Sequence, residues 1–168
     1  MVNIGAFTFQ FDQVEDRIRL VGNLDNGQQR IDFWLTRRLA KLLLDGGNEL
    51  VQKTSRRVSE SPSEFKDATA QFEHEQAKAV LDASNHPVPT GRGTEAKLLH
   101  RVDFSFKGGR YRLRLYTHDN PETVAAVSVL TYAELHQILH LIHTGCEILK
   151  WDIAEPFSAF AGSAARLQ

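Results

Sequence analysis

The stretch ELHQILHLIHTGCEILKW, residues 134–151, holds the densest set of groups in the chain that could do chemistry. At about 100° per residue on a helix, His136, His140, His143 and Glu147 fall within a narrow arc. They flank an apolar stripe of Leu135, Ile138, Leu139, Ile142, Cys146 and Leu149. Three imidazoles and a carboxylate at i, i+4, i+7 and i+11 are donor types suited to zinc or another divalent ion. The whole set spans about 16 Å of helix, so one ion reaches only a pair of these residues. A pair such as His136 and His140, or His140 and His143, needs a further ligand, for which His74, His118 or a carboxylate are the candidates. The reading we favour is plainer: a border row, where each ring covers apolar surface and turns its nitrogens to water or carbonyls. A third reading is a pH-sensitive interface, because clustered imidazoles gain charge near about pH 6 and repel one another. Cys146 lies inside the apolar stripe and is expected to be a buried, inert thiol.

The second group is cationic. In RYRLRLYTHDNPETVAAVSVLT (110–131), Arg110, Arg112 and Arg114 alternate along one segment, and Arg17 and Arg19 do the same in RIRL. With Tyr116 as the nearest aromatic, these arginines would offer a basic track for single-stranded nucleic acid, which binds to cationic grooves with stacking platforms. A two-residue turn at Gly108–Gly109 sets Lys107 opposite Arg110, Ser105 opposite Arg112 and Asp103 opposite Arg114. That register gathers Val102, Phe104, Phe106, Tyr111, Leu113 and Leu115 on the core face. The arginines are then the wet side of a sheet. The third group is the tail segment WDIAEPFSAF, whose Trp151, Phe157 and Phe160 are expected to fold back on the body. Left free, they would anchor a partner chain.

Catalytic signatures are absent. The chain has no HExxH, G-x-S-x-G or G-x-G-x-x-G, and GRGTEAK lacks P-loop spacing. HDN (118–120) and EHE (73–75) have no second element that visibly completes a site, so no catalytic residue is assigned.

The elements that must position these groups are legible as a pattern. FTFQF (7–11) and VDFSF (102–106) alternate at period two, and each precedes an alternating basic strand. A shift of 95 residues lays Phe9 on Phe104, Phe11 on Phe106, Arg17 on Arg112, Arg19 on Arg114, Leu35 on Leu130 and Thr36 on Thr131. Such order suggests an internal repeat of three strands and a helix. Thr131 with Glu134 forms a capping box for the second helix, and Thr36 caps the first, which runs towards Val58 with a break or kink at Gly46–Gly47. SPSE restarts the helix, with Ser61 as cap, Pro62 in the first turn and Glu64 as partner. Phe65, Ala68, Phe72, Ala79 and Val80 give that helix an apolar side. SNHPVPTGRGTEAK (84–97) reads as an exposed loop.

The expectation is an α+β fold in which two pseudo-repeated βββα halves form an antiparallel β-sandwich or open barrel, with a helical hairpin inserted between them. We expect a single domain, 1–168, divided into a first half (1–45), an insertion and loop (46–97), a second half (98–150) and a tail (151–168). The 168 residues, 42% of them hydrophobic, suffice for a core without staples. Twenty basic and 21 acidic residues leave a net charge of −1, so no whole-molecule field draws the chain to DNA or to an anionic membrane. One cysteine excludes an internal disulfide framework and a Cys-based zinc site. No apolar run approaches the roughly 18 residues of a membrane span, and MVNIGAFTFQ lacks a signal-peptide pattern. A cytoplasmic location without a membrane partner is therefore expected. These features favour a non-enzymatic binding or adaptor protein that associates with itself or another protein, with no cofactor. The alternatives are a divalent-metal protein or small metal-dependent enzyme built on the His-rich helix, and a single-stranded nucleic-acid binder built on the arginine strands.

Overall fold

The computed structural model describes residues 1–78, 88–91 and 94–157. In chain order the elements are β1 (Val2–Ile4), β2 (Phe7–Asp12), β3 (Arg17–Gly22), β4 (Ile31–Leu35), α1 (Arg37–Thr54) and α2 (Arg56–Glu60). A short 3-10 turn (Ser63–Phe65), α3 (Lys66–Lys78), β5 (Lys97–Lys107), β6 (Arg110–Thr117), β7 (Asn120–Leu130) and α4 (Tyr132–Ile148) follow. The fold is α+β, a single curled seven-stranded sheet in the order β1-β7-β6-β5-β4-β3-β2 with four α-helices among the described residues.

The expected all-antiparallel arrangement is corrected in two places. β4 runs parallel to β5, because three helices intervene and return the chain in the same direction. β1 runs parallel to β7, with Val2, Asn3 and Ile4 opposite Ala126, Val127 and Ser128. Because Gly5 and Ala6 connect β1 directly to β2, neighbouring segments of chain lie at the two ends of the strand order. The Gly108–Gly109 turn, with φ of 60° and 72°, produces the register that its sequence predicts: Lys107 faces Arg110, Ser105 faces Arg112 and Asp103 faces Arg114.

Alternate residues of the strands, among them Phe9, Phe11, Ile18, Leu20, Phe33, Leu35, Tyr111, Leu113 and Leu115, join the core with apolar residues of α1 and α4. Thr36 caps α1 by accepting from Leu39 N, and Thr131 with Glu134 forms a complete capping box on α4. Gly46 and Gly47 do not interrupt α1. A Cβ at Gly47 would lie 2.6 Å from Leu139 Cδ2, so this glycine lets α1 and α4 approach closely. The helix breaks instead at Ser55, whose hydroxyl accepts from Val58 N and caps α2. Ser61 ends α2 rather than starting α3; its hydroxyl donates to the Arg57 carbonyl.

α3 reverses another expectation. Its buried positions are Ala70 and His74, whereas Phe65 and Phe72 are 56% and 55% exposed and Ala68 between them is exposed as well. Ala79 and Val80 lie outside the described residues. The segment expected as an exposed loop is held down where it is described: Val88 is buried, and the carbonyls of Pro89 and Thr94 accept from Arg30 and Arg19.

Candidate functional site

α3 and α4 pack together and bring titratable side chains from both into a buried cluster. His74 Nδ1 lies 3.0 Å from His136 Nδ1, and both residues are buried, His136 with no exposed surface. A bond between these like atoms needs one imidazole to donate and the other to accept, so it exists only while at least one ring is neutral. The His140 ring is 6.2 Å from that of His74. Phe157, from the segment after α4, lies tilted against both rings of the pair, 4.8 Å from His74 and 5.0 Å from His136, and Tyr132 meets His136 edge-on at 4.4 Å.

A polar chain continues away from the imidazoles. Glu73 Oε2 accepts from the Tyr132 hydroxyl and, at 3.0 Å, from Ser55 Oγ. Nearby, the Thr54 and Tyr111 hydroxyls share a bond of 2.7 Å. α1, α2, α3, α4 and β6 are thus stitched by side-chain bonds where the helices meet the sheet. Burial pushes the Tyr132 hydroxyl well above its usual range, and its bond to Glu73 adds to the shift. Burial also draws the His136 imidazole down from 6.5 to about 4, against a smaller upward pull from Glu73. Its Nε2 has no hydrogen-bond partner among the described residues. At neutral pH His136 is an uncharged core imidazole, and it departs from the border-row reading: it has no exposed surface, and its Nδ1 meets His74 in place of water or a carbonyl.

The four candidate metal residues separate into two groups. His136 and His140 turn towards His74, one of the three further ligands that the sequence leaves open, beside His118 and a carboxylate. His143 Nε2 contacts the Ile153 carbonyl at 3.2 Å, and its Nδ1 lies 3.9 Å from the exposed Glu147 carboxylate. Among the described residues no group of three or more His, Cys, Asp or Glu side chains has the arrangement of a metal centre. His118 is elsewhere, its ring 6.1 Å from that of His100. Cys146 is buried, and desolvation pushes its thiol up to about 11, away from nucleophilic reactivity.

The two arginine strands have different fates. Arg110, Arg112 and Arg114 are exposed on the outer face of β6. Arg17 is half-buried opposite Asp12, and Arg19 is buried. Arg19 donates to Asp32 Oδ2 through Nε at 3.0 Å and Nη2 at 2.7 Å, Arg30 grips both oxygens of the same carboxylate, and Trp34 lies 5.5 Å from the Arg19 guanidinium. No continuous track of arginines joins the halves. Tyr116 is 6% exposed, with the Arg101 guanidinium 4.0 Å from its ring centroid, so its face is not open for stacking.

Of the aromatic tail residues, Trp151 and Phe157 are buried, and Trp151 Nε1 donates to Asp16 Oδ1 at 2.7 Å. Phe160 lies outside the described residues. The internal cavity between sheet and helices, lined by apolar residues such as Leu43, Leu99, Leu115 and Ile142, has a volume of about 20 Å³, room for roughly one water.

Comparison with protein-family models, curated proteins and solved structures finds no match.

Proposed function

We propose that this protein is a non-enzymatic interaction module that associates with a second copy of itself through the outward face of α3. The observation carrying this reading is that Ala68 and Phe72 are exposed on the side of α3 opposite the buried Ala70 and His74, with the exposed Phe65 at the end of the 3-10 turn just before the helix. A large apolar patch on a helix costs solubility unless a partner covers it. The patch is self-complementary: an antiparallel pair sets Phe65 of each copy beside Phe72 of the other, with the small Ala68 near the centre allowing close approach. Trp151 and Phe157 contribute to association only if they leave their buried places, so they are secondary to α3 in this reading.

The test is sedimentation equilibrium of the full chain beside a Phe65→Glu/Phe72→Glu variant. We expect twice the 19.0 kDa chain mass for the natural sequence and a monomer for the variant, with unchanged thermal unfolding. A natural chain that remains monomeric at about 100 μM overturns the proposal, since dimers weaker than that stand near the millimolar floor of specific association.

A divalent ion on the His-rich helix is the competing reading; His74 approaches His136 and His140, but the three side chains do not have the arrangement of a metal centre. Native mass spectrometry of chelator-free protein decides it: a metal mass lost in His136→Ala supports the reading, and a metal-free chain after zinc addition sinks it. The two sequential units β2-β3-β4-α1 and β5-β6-β7-α4 share one connectivity, which supports our reading of an internal duplication with α2 and α3 as the insertion. A cytoplasmic location fits the sequence features, and none of the described helices is long and apolar enough to cross a membrane.

A further inference from the structure

We propose that the outer face of β6 and β7 is a docking surface for an acidic amphipathic helix of another protein, independent of self-association through α3. Arg110, Arg112 and Arg114 form a row on this face, with Lys107 opposite Arg110 at the hairpin end. Alternate strand residues repeat at about 6.7 Å, so the three guanidinium groups start from Cα positions spread over about 13 Å. The one carboxylate opposite the row, Asp103, lies 3.2 Å from Arg101 Nε. Among the described residues none of the three arginine side chains makes a hydrogen bond or an ion pair. Three cations against a single cross-strand carboxylate, itself paired with Arg101, call for an anionic partner, and the net charge of −1 places that demand on this face and not on the whole molecule.

The neighbouring strand decides which anion. Val127 and Val129 stand directly beside Arg114 and Arg112 on the same face, and Val129 is 51% exposed. A basic row and an apolar row therefore run side by side at the strand spacing of about 4.8 Å. A helix about 10 Å wide covers both rows, and about nine of its residues span the arginines at 1.5 Å each. Its acidic stripe would meet the guanidinium groups, which bind carboxylates through paired N–H bonds, and its apolar stripe would cover the valines. Single-stranded nucleic acid fits less well. It gains affinity from aromatic platforms, and on this face Tyr116 is buried under Arg101, while Phe106, 40% exposed, pairs with Tyr111 on the opposite face, the two rings 4.8 Å apart.

The test uses full-length protein and a fluorescein-labelled helical peptide of about fifteen residues, with leucine at every third or fourth position and glutamate on one flank. Fluorescence anisotropy should report saturable binding, weakened at least about tenfold by Arg112→Glu/Arg114→Glu, and about fivefold by Val129→Asp, as expected for central interface positions. The same peptide with lysine for glutamate should not bind. Both sites of change are exposed, and unchanged thermal unfolding establishes that the variants are folded. No binding of the acidic peptide at about 200 μM, a weak encounter by any interface standard, overturns the proposal. So does equal affinity of the Arg112→Glu/Arg114→Glu variant, or tighter binding of a thymidine oligonucleotide than of the peptide.

Discussion

At the scale of single residues, the most consequential choice is His136, an imidazole kept neutral in a place where charge cannot be solvated. His136 is held near a pKa of about 4, below its unfolded value of 6.5. Between these limits the unfolded chain binds more protons than the folded one, so stability is complete above about pH 6.5 and declines as the pH falls towards 4. The gap is worth ~3 kcal/mol, a large share of a typical domain's stability. Urea unfolding of the natural chain should show this slope, and His136→Gln should flatten it while lowering the midpoint at pH 7 through loss of the bond to His74. Parallel pH slopes for the two proteins would remove His136 as the titrating group. The sequence made three imidazoles visible on one helical arc, and it offered His74 among several partners. It could not single out His74, because that choice depends on α3 meeting α4 across 62 positions of chain, which no local period encodes.

Elements were most legible where local chemistry alone decides the backbone. Two consecutive glycines with positive φ dictate a tight hairpin, and that turn fixes the register of β5 and β6 from Lys107–Arg110 as far as Arg101–Tyr116, where a bulge shifts it. Thr131 and Glu134 satisfy each other's backbone groups at the start of α4 with no help from distant residues. Where distant packing decides, reading the sequence went astray. The three residues of β1 are too few to show an alternation, and they become a strand only because β7 lies beside them. The apolar side of α3 suggested a core face, yet its small Ala70 and its imidazole His74 are the residues turned inward. Gly46 and Gly47 looked like a break because glycine is a poor helix former, but they differ in what surrounds them. A Cβ at Gly46 meets nothing within 4 Å, so Gly46→Ala should stabilise the protein by up to about 1 kcal/mol through helix propensity. Gly47→Ala gains the same propensity but drives a methyl into Leu139, and should destabilise by about 1–3 kcal/mol net. Opposite signs for two adjacent, chemically identical changes in urea midpoint would establish that glycine at 47 serves the α1–α4 contact; equal signs would refute that.

Across the whole molecule, two strands that each carry alternating arginines use them differently. The 95-residue offset that aligns Arg19 with Arg114 places both on the outer side of the sheet, with core residues on either side of each in sequence. In the first half that side is covered: Arg19 bonds Asp32 and the Thr94 carbonyl, Arg30 bonds Asp32 and the Pro89 carbonyl, and Val21 is fully buried. In the second half the equivalent side is open, which is why a basic face exists at all. Arg19 and Arg30 thereby hold a loop in place, while the side chains of Arg110, Arg112 and Arg114 stand exposed on β6. The consequence for stability is asymmetric. Arg19→Ala removes a buried charge that bridges a carboxylate and a loop carbonyl, and should cost about 2–4 kcal/mol even with Arg30 still on Asp32. Arg114→Ala removes an exposed side chain with no bonding partner among the described residues, and should change stability by less than about 0.5 kcal/mol. Guanidinium unfolding of the two variants compares them directly. Similar losses would mean that both outer faces are covered in solution, leaving no open surface in the second half for a partner to occupy.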